Sequence, residues 1–281
     1  MAKMIDGKAL ATKTKEALKQ RVADLKNKGI TPGLAVILVG ENPASQIYVR
    51  GKEKDAKSLG FHSIIDRVPA TISQEELLEK VKNYNNDEKI HGLLVQLPLP
   101  KHIDKEVITL AIDPQKDVDG FHPVNMGRLF MGDPLMIPCT PFGVMRMFEE
   151  YNLDLSGKEA VVIGRSNIVG KPMANLLTMA NATVTVAHSR TQNLPEVARR
   201  ADILVVAIGR AHFVTKDFVK KGAVIIDAGM NHLENGKFVG DAKTEEMDQV
   251  VSFITPTPGG VGPMTRAMLM EQTVIAAERR V

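Results

Sequence analysis

The sequence has a single cysteine, no excess of one sign of charge and no long hydrophobic run. Cys139 is the only cysteine in 281 residues, which excludes an intrachain disulfide and any metal site built from clustered cysteines. Its setting in a Pro-Cys-Thr-Pro segment, without a neighbouring Cys-His motif, favours a small buried thiol over a nucleophile. The seven histidines show no paired spacing, so we predict no bound metal.

The charges of the chain are balanced and interspersed. There are 36 basic and 33 acidic residues, which leave a net charge of +3 and no basic stripe for nucleic acid or a membrane surface. No apolar run approaches the ~20 residues of a membrane span, and the first residues lack the apolar core of a signal peptide. We therefore expect a cytoplasmic protein that binds neither nucleic acid nor membrane.

The first half of the chain alternates apolar runs with helical patterns. The length and a hydrophobic content of 44% suffice for two ordinary cores, so two domains are expected. Residues 34–40, 63–65 and 92–97 are typical of buried strands, and residues 45–59 and 74–84 of helices. Buried strands separated by amphipathic helices form a parallel sheet. Residues 1–140 are thus predicted to be one α/β domain.

The second half continues this alternation with four further apolar runs. They lie at residues 160–163, 183–187, 202–209 and 223–229, with the spacing of βαβ crossovers. We predict a Rossmann-like domain over residues 141–263, followed by a helix. The predicted fold is α/β, with two domains flanking a cleft, and ligands in such folds collect at the carboxyl ends of the strands.

A glycine-flanked turn directly follows the first of these four runs. It extends from Gly164 to Gly170, between a predicted strand and a predicted helix, where free backbone N–H groups would face a nucleotide pyrophosphate. Ser166 stands where the dinucleotide fingerprint has its second glycine, and the last glycine falls one position late. The surrounding strands favour a bound dinucleotide over a plain structural turn.

The residues after the next strand indicate which dinucleotide binds. An NAD site usually has a carboxylate there, whereas this chain has Ser189 and Arg190. A hydroxyl and a guanidinium suit a 2′-phosphate, and Arg165 in the glycine turn is a second candidate. NADP is therefore favoured over NAD. The alternative is that both arginines are ordinary solvated loop residues.

Polar side chains also gather in the first half. Tyr48 and Lys52 are four residues apart and share one face of a predicted helix, with Ser45 near its start. Gln96 interrupts a buried strand just before its end, where an amide needs hydrogen-bond partners or a function. A helix face exposed to solvent, and a glutamine bonded only to backbone, are the alternative interpretations.

Two carboxylates flank Val118 in the loop at residues 116–123. An Asp before Gly is common turn chemistry, so turn capping accounts for one of them, and Asp119 precedes Gly120. The two acids together with Gln96, Lys52 and Tyr48 are more than turns require, so a ligand contact from this loop is expected.

Five segments in this order are those of a known family. The chain resembles, from end to end, the bifunctional methylenetetrahydrofolate dehydrogenase/methenyltetrahydrofolate cyclohydrolase family. The segments are residues 48–52 (Tyr-Val-Arg-Gly-Lys), 92–100 (Gly-Leu-Leu-Val-Gln-Leu-Pro-Leu-Pro), 113–121 (Asp-Pro-Gln-Lys-Asp-Val-Asp-Gly-Phe), 164–166 (Gly-Arg-Ser) and 258–265 (Pro-Gly-Gly-Val-Gly-Pro-Met-Thr).

The resemblance implies an NADP-dependent enzyme of one-carbon metabolism, which serves purine, histidine and methionine biosynthesis. Such an enzyme oxidises 5,10-methylenetetrahydrofolate to the methenyl cation and hydrolyses that cation to 10-formyltetrahydrofolate. It also implies a homodimer joined mainly through the nucleotide domains, with residues 264–281 packing back on the first domain.

The resemblance also implies roles for particular residues. Lys52 is the central catalytic residue, with Gln96, Tyr48 and Asp119 as the other catalytic candidates. Tyr48 and Asp119 would also bind the pterin, together with Ser45, Gly262 and Pro263. The candidate cofactor-binding residues are Gly164, Arg165, Ser166, Ile168, Ser189, Arg190, Met230 and Thr265. The competing hypotheses are a noncatalytic NADP-binding regulator and a dehydrogenase of amino or hydroxy acids.

Overall fold

The structure is a computed structural model that describes residues 1–280, apart from the side chain of Ala44. The helices and strands in chain order are β1 (Lys3–Met4), α1 (Gly7–Asn27), β2 (Gly33–Val39), α2 (Pro43–Ser58), β3 (His62–Val68), α3 (Gln74–Asn86), β4 (Gly92–Val95), α4 (Lys105–Ala111), α5 (Pro123–Phe130), α6 (Cys139–Glu150), β5 (Glu159–Ile163), α7 (Gly170–Met179), β6 (Thr183–Ala187), α8 (Leu194–Arg199), β7 (Ile203–Val206), β8 (Val224–Asp227), β9 (Asn231–His232), β10 (Phe238–Val239), β11 (Phe253–Ile254) and α9 (Val261–Glu278).

The chain divides into two compact units. The six-stranded unit comprises Met1–Thr12 and Thr140–Thr265, and the three-stranded unit comprises Lys13–Cys139 and the described residues from Arg266 onward. The N-terminal residues lie in the six-stranded unit, whereas the sequence assigned them to the first domain. The reason is that β1 pairs in parallel with β11, with Lys3 opposite Phe253. A two-residue edge strand has too few residues to show a pattern.

The six-stranded unit contains a parallel sheet with the strand order β1-β11-β8-β7-β5-β6. Its central strands are buried on both faces, as their continuous apolar runs predict. The core includes Val161, Leu204 and Ile225. The chain leaves β5 for β6 on one side and later returns to β7 on the other, so the strand order reverses at β5. Such a reversal is where α/β sheets bind ligands.

The three-stranded unit has the parallel strand order β3-β2-β4. All seven residues of β2 are buried, and Ile37, Leu77 and Leu93 belong to the core. The loop before α5 runs beside β4, where the Leu93 N–H donates to the Lys116 carbonyl at 2.7 Å. The predicted α/β class with parallel sheets is therefore confirmed.

The last helix, α9, begins at Val261, three residues before the predicted start. In the three-stranded unit the Gln272 amide donates to the Val118 carbonyl at 2.6 Å. The Arg21 guanidinium also donates two hydrogen bonds to the Glu278 carboxylate, of 2.9 and 2.7 Å. The predicted return of the last helix to the first domain is confirmed for this part of α9. Within residues 1–280, no helix combines the length and hydropathy that crossing a membrane requires.

Candidate functional site

Helix α2 carries the first group of candidate residues in the three-stranded unit. It begins after Asn42, whose side chain accepts the Ser45 N–H at 3.1 Å, with Pro43 as its first residue. Both choices suit a helix start, because the cap satisfies an orphan donor and proline needs none. On this helix Tyr48 and Lys52 share a face as predicted. Lys52 is only 8% exposed, whereas Tyr48 is 38% exposed.

A hydrogen-bond chain joins Lys52 to Gln96 and Ser45. The Lys52 ammonium donates to Gln96 Oε1 at 3.1 Å, and Gln96 Nε2 donates to the Leu97 carbonyl at 2.8 Å. The Ser45 hydroxyl donates to the same carbonyl at 3.4 Å. Gln96 is therefore bonded both to backbone and to Lys52, and its amide orientation is set. One contact uses one of the three donors of an ammonium, so Lys52 can still donate to a substrate or water.

The loop after β4 separates the two carboxylates into different environments. Asp117 is buried, and its carboxylate accepts the His122 N–H at 2.7 Å and the Asn125 amide at 2.9 Å. Burial raises the pKa of Asp117, and these hydrogen bonds oppose the rise. Asp119 is half-buried, and no group in residues 1–280 donates a hydrogen bond to its carboxylate. The Gly120 N–H bonds to the Asp117 carbonyl, so Asp119 does not cap this turn.

A buried lysine holds this loop in place. Lys116 Nζ donates to the carbonyls of Tyr84 and Asp87 at 3.0 and 2.8 Å, at the C-terminal end of α3. A cation is favourable at a helix C-terminus. Burial lowers the pKa of Lys116, and the positive charge of Arg280 lowers it further. Lys116 and Asp117 thus fix the backbone from which Asp119 projects.

Cys139 lies within electrostatic reach of both Lys52 and Asp119. Burial raises the pKa of the thiol well above its ordinary value, the Asp119 charge adds to the rise, and Lys52 opposes it. The thiol donates a hydrogen bond to the Val118 carbonyl at 3.1 Å. Cys139 is thus the buried structural thiol that the sequence predicted.

The sequence interpretation missed Arg266, which lies against the Tyr48 face of α2. Its Nε is 3.4 Å from Asp55 Oδ2, and Lys15 pairs with Asp55 Oδ1 at 2.6 Å. Gly51 leaves room for the Arg266 guanidinium, because a Cβ there would lie 3.2 Å from Cζ. Burial raises the pKa of Tyr48, and the Arg266 charge opposes the rise. The sequence signal for a basic partner at this helix was Asp55, an acid three residues after Lys52, and it did not indicate Arg266 as that partner.

The glycine turn of the six-stranded unit has the close packing of a nucleotide site. A Cβ on Gly170 would lie 2.7 Å from the Arg165 nitrogen, so only glycine lets α7 start this close to the turn. Gly164 has a φ of +133°, a conformation that side chains rarely adopt. These are the turn and packing roles that glycines have in dinucleotide sites.

The first N–H groups of α7 are not free, which corrects the sequence expectation. Ser166 Oγ accepts the N–H groups of Val169 and Gly170 at 3.2 and 3.3 Å, and the Ser166 carbonyl accepts that of Lys171. Ser166 therefore caps the helix through its oxygen, and its O–H group can still donate a hydrogen bond to a ligand. In the described chain the N–H groups of residues 166–168 make no hydrogen bond to protein, so the turn itself offers the donors.

The loop after β6 presents Ser189 and Arg190 to solvent. Its backbone is closed by the His188 N–H, which donates to Thr191 Oγ1 at 2.9 Å, and by the Arg190 N–H, which donates to His188 Nδ1 at 3.1 Å. The side chains of Ser189, Arg190 and Arg165 are all exposed. Across residues 1–280, neither arginine forms an ion pair, so both guanidinium groups can bind an anion.

The remaining candidates of the six-stranded unit fall into three groups. Ile168 is 44% exposed beside the glycine turn. Met230 approaches Gly262, where a Cβ would lie 3.0 Å from the methionine Cε, and Pro263 follows at the start of α9. Thr265 Oγ1 is 3.0 Å from Thr140 Oγ1.

Comparisons with known proteins match both halves of the chain to one family. Residues 138–281 match the family model Tetrahydrofolate dehydrogenase/cyclohydrolase, NAD(P)-binding domain, and residues 5–119 match that of the catalytic domain. The chain is 64% identical over 277 residues to Bifunctional protein FolD of Streptococcus suis, with 98% of each chain covered.

Solved structures give the same result. A crystal structure of the bifunctional enzyme FolD-methylenetetrahydrofolate dehydrogenase/cyclohydrolase from Campylobacter jejuni is 50% identical, with a TM-score of 0.98 and 100% of both chains covered. The Trypanosoma brucei enzyme, complexed with NADP cofactor and inhibitor, is 39% identical, with a TM-score of 0.95 over 99% of this chain and 98% of that one.

Proposed function

This chain belongs to the tetrahydrofolate dehydrogenase/cyclohydrolase family, and from that premise we propose how its residues carry out two reactions. The enzyme oxidises 5,10-methylenetetrahydrofolate to the 5,10-methenyl cation, with NADP as cofactor, and hydrolyses the cation to 10-formyltetrahydrofolate. The first reaction removes a hydride from the one-carbon bridge. The second adds water and releases a proton.

The six-stranded unit holds NADP, and its residues suit that cofactor. The closely packed turn at Gly164 and Gly170 admits a pyrophosphate to the backbone donors of residues 166–168. The Ser166 hydroxyl donates a hydrogen bond to the pyrophosphate. Ser189 and Arg190 bind the 2′-phosphate, with Arg165 as a second donor. NADP supplies the hydride acceptor when bound. Ile168, Met230 and Thr265 complete the proposed cofactor contacts.

The three-stranded unit provides the folate-binding side chains. Asp119 accepts hydrogen bonds from the pterin N–H groups, since its carboxylate has no protein donor in residues 1–280 and its backbone is held by Lys116 and Asp117. Tyr48 stacks against the pterin, and Ser45 lies one turn before it. Gly262 and Pro263, which the resemblance also assigns to the folate, belong to the six-stranded unit, and their contact with it stays a prediction.

Lys52 moves the proton in the hydrolysis. Water attacks the methenyl carbon, and a group beside that carbon must take up and release protons as the tetrahedral intermediate opens to the formyl product. Lys52 is buried, and Gln96 holds its ammonium at 3.1 Å. The dehydrogenase step generates a cation without a proton acceptor, so it depends on orientation of the substrate. The Lys52–Gln96 hydrogen bond is the observation that best supports this mechanism.

One spectrophotometric experiment tests both reactions. Mixing enzyme, NADP, tetrahydrofolate and formaldehyde should produce the NADPH absorbance band, and methenyltetrahydrofolate added alone should lose its own absorbance on hydrolysis. A noncatalytic NADP-binding protein, or a dehydrogenase of amino or hydroxy acids, would produce neither change. Absence of both with a folded protein would contradict the function.

We also propose a homodimer and a cytoplasmic location. Strand β6 ends the six-stranded sheet, and within residues 1–280 its outer edge pairs with no strand, while Val186 on it is 40% exposed. An unpaired edge strand is a template for a second copy. Val186→Lys should therefore shift the sedimentation coefficient from dimer to monomer. A single buried thiol requires no oxidising compartment, and cell fractionation tests the location.

A further inference from the structure

The turn after β7 forms the second wall of the nucleotide site. Its first residue, Ala207, donates its N–H to the Ile163 carbonyl at 2.9 Å, which ties the turn to the end of β5. A Cβ on Gly164 would lie 3.1 Å from the Ala207 carbonyl carbon, so the two turns touch. They follow the two strands at which the sheet order reverses, which is where α/β sheets bind their ligands.

A buried carboxylate holds this second turn. Asp241 Oδ2 accepts the N–H groups of Ile208 and Gly209 at 2.7 and 3.0 Å, and Oδ1 accepts that of Arg210 at 2.8 Å. The Asn231 amide donates to Oδ1 at 2.9 Å. Asp241 is fully buried, and four donors fill the roughly four acceptor positions of a carboxylate. Asp241 therefore has no capacity left to bind a ligand itself.

A second buried carboxylate supports the first. Asp227, at the end of β8, accepts the N–H groups of Asp241 at 3.1 Å and of Gly229 and Ala242 at 2.8 Å. A Cβ on Gly229 would lie 2.7 Å from the Asp241 nitrogen, and one on Gly240 would lie 2.7 Å from the Asp227 carboxyl carbon. The two glycines leave room for the two acids. The packing at the carboxyl ends of the strands therefore depends on both acids.

We propose that Asp241 is a positioning residue for NADP binding. It sets the backbone of residues 208–210, and through Asp227 it ties that backbone to β8, so the wall opposite the glycine turn is formed before the cofactor arrives. Preformed walls raise affinity because no ordering is left for the ligand to drive. The inference rests on the proposed NADP site and adds a residue that does not touch the cofactor.

Asp202 offers a matched control at the opposite end of the same strand pair. It directly precedes β7, its Oδ2 accepts the Glu159 N–H at 2.9 Å, and it pairs with Lys220 at 2.7 Å. Loss of the Asp202 carboxylate leaves the first N–H of β5 without its acceptor, and loss of the Asp241 carboxylate does the same to the turn after β7. Of the two, Asp241 is the one at the carboxyl ends of these strands, where the ligand binds. A purely structural role for Asp241 predicts a lower melting temperature with NADPH affinity within about twofold of wild type.

The test is calorimetric titration of NADPH into wild type, Asp241→Asn and Asp202→Asn, with melting temperatures from the same preparations. In Asp241→Asn the new side-chain amide would face one of the backbone N–H donors and leave it unpaired, so we expect NADPH to bind about tenfold more weakly or worse. Asp202→Asn should stay within about twofold of wild type because its site is distant. NADPH affinities of the two variants that agree within twofold would overturn the inference.

Two further arms keep the test decisive. If Asp241→Asn does not fold, Asn231→Ala removes one of the four donors and should weaken NADPH binding about threefold, through looser anchoring of the turn. An unchanged affinity in that variant would then reject the role. Wild-type protein that fails to bind NADPH would instead refute the proposed function, and the positioning role would fall with it.

Discussion

The Lys52 ammonium and the Gln96 amide are joined by a hydrogen bond of 3.1 Å, although 44 residues separate them in the chain. Gln96 Nε2 is bonded to the Leu97 carbonyl, so Oε1 must face Lys52. The hydrogen bond to Gln96 limits the rotamers of Lys52 in the free protein. Substrate binding therefore does not have to fix this side chain, a step that costs up to about 2 kcal/mol of conformational entropy for a lysine. The proposed proton-transfer group is therefore positioned before substrate binds.

Replacement of Lys52 by methionine should reduce hydrolysis of methenyltetrahydrofolate by about 100-fold or more, the usual scale for lost acid–base catalysis. NADP should still bind with wild-type affinity. Lys54→Met is the control, since Lys54 is exposed on the same helix. Unchanged hydrolysis in the Lys52 variant, with Lys54→Met as reference, would refute the proton-transfer role.

Removal of the Asp119 carboxylate should depress both activities together through weaker folate binding. A site built to accept the pterin N–H groups leaves them buried and unpaired when the acceptor is lost, at about 1–3 kcal/mol. NADP affinity should change less than about twofold. Dissociation constants for folate and NADPH in Asp119→Ala measure this.

Asp117→Ala is the matched comparison, because it leaves the His122 and Asn125 donors unpaired inside the protein. It should lower the melting temperature, whereas Asp119→Ala should leave it near wild type. A destabilised Asp119 variant with normal folate affinity would instead assign Asp119 a structural role.

Loss of the Arg190 guanidinium should weaken NADP binding by about 1–3 kcal/mol and barely alter NAD, because the 2′-phosphate is the only difference between them. Arg200→Ala serves as control, since the exposed Arg200–Glu159 pair, at 3.0 Å, lies at the amino end of β5, away from the nucleotide. Equal losses for both nucleotides in Arg190→Ala would contradict the assignment. Arg165→Ala would then be the next variant to titrate.

His91 should make the stability of the protein fall in acid. Its Nδ1 accepts the Gly33 N–H at 3.0 Å in a buried setting, and burial, with Arg280 and Lys116, lowers its pKa from 6.5 to about 4. Between these values the unfolded chain binds more protons than the folded one, so the stabilisation is lost as pH falls from about 7 to 4.

The loss should be on the order of 2–3 kcal/mol in the free energy of unfolding by urea. His91→Asn retains an acceptor for Gly33 and removes the titrating group. The variant should therefore show a shallower decline over this pH range. Parallel stability curves for the two proteins would exclude His91 as the cause.

Local patterns determined most of the α/β framework. The apolar run at residues 183–187 is strand β6 to the residue, and the predicted run at 160–163 forms most of β5. The Tyr48–Lys52 face followed from the helical repeat alone, and the glycine turn followed from the strand before it. These features depend on neighbours in sequence, so the side-chain period and turn chemistry suffice to predict them.

Other features were decided only by tertiary packing. Asp117 and Asp119 are two acids of one loop, and only the structure shows that the His122 N–H and the Asn125 amide donate to the Asp117 carboxylate. Ser166 reads as a defective fingerprint position, yet it caps α7.

The hydrogen-bond and ion-pair partners of Asp241 and Arg266 are distant in sequence, which is why the sequence did not predict these contacts. Asp241 is 31 to 33 residues from the N–H groups that it accepts, and Arg266 reaches α2 from the other end of the chain. The hydrogen-bond partner of a buried charge is chosen by which backbone the fold brings within about 3 Å, and no local periodicity encodes that distance. The sequence alone therefore determined the elements and the family of chemistry, and the tertiary structure decided which buried carboxylates anchor the backbone of the two proposed sites.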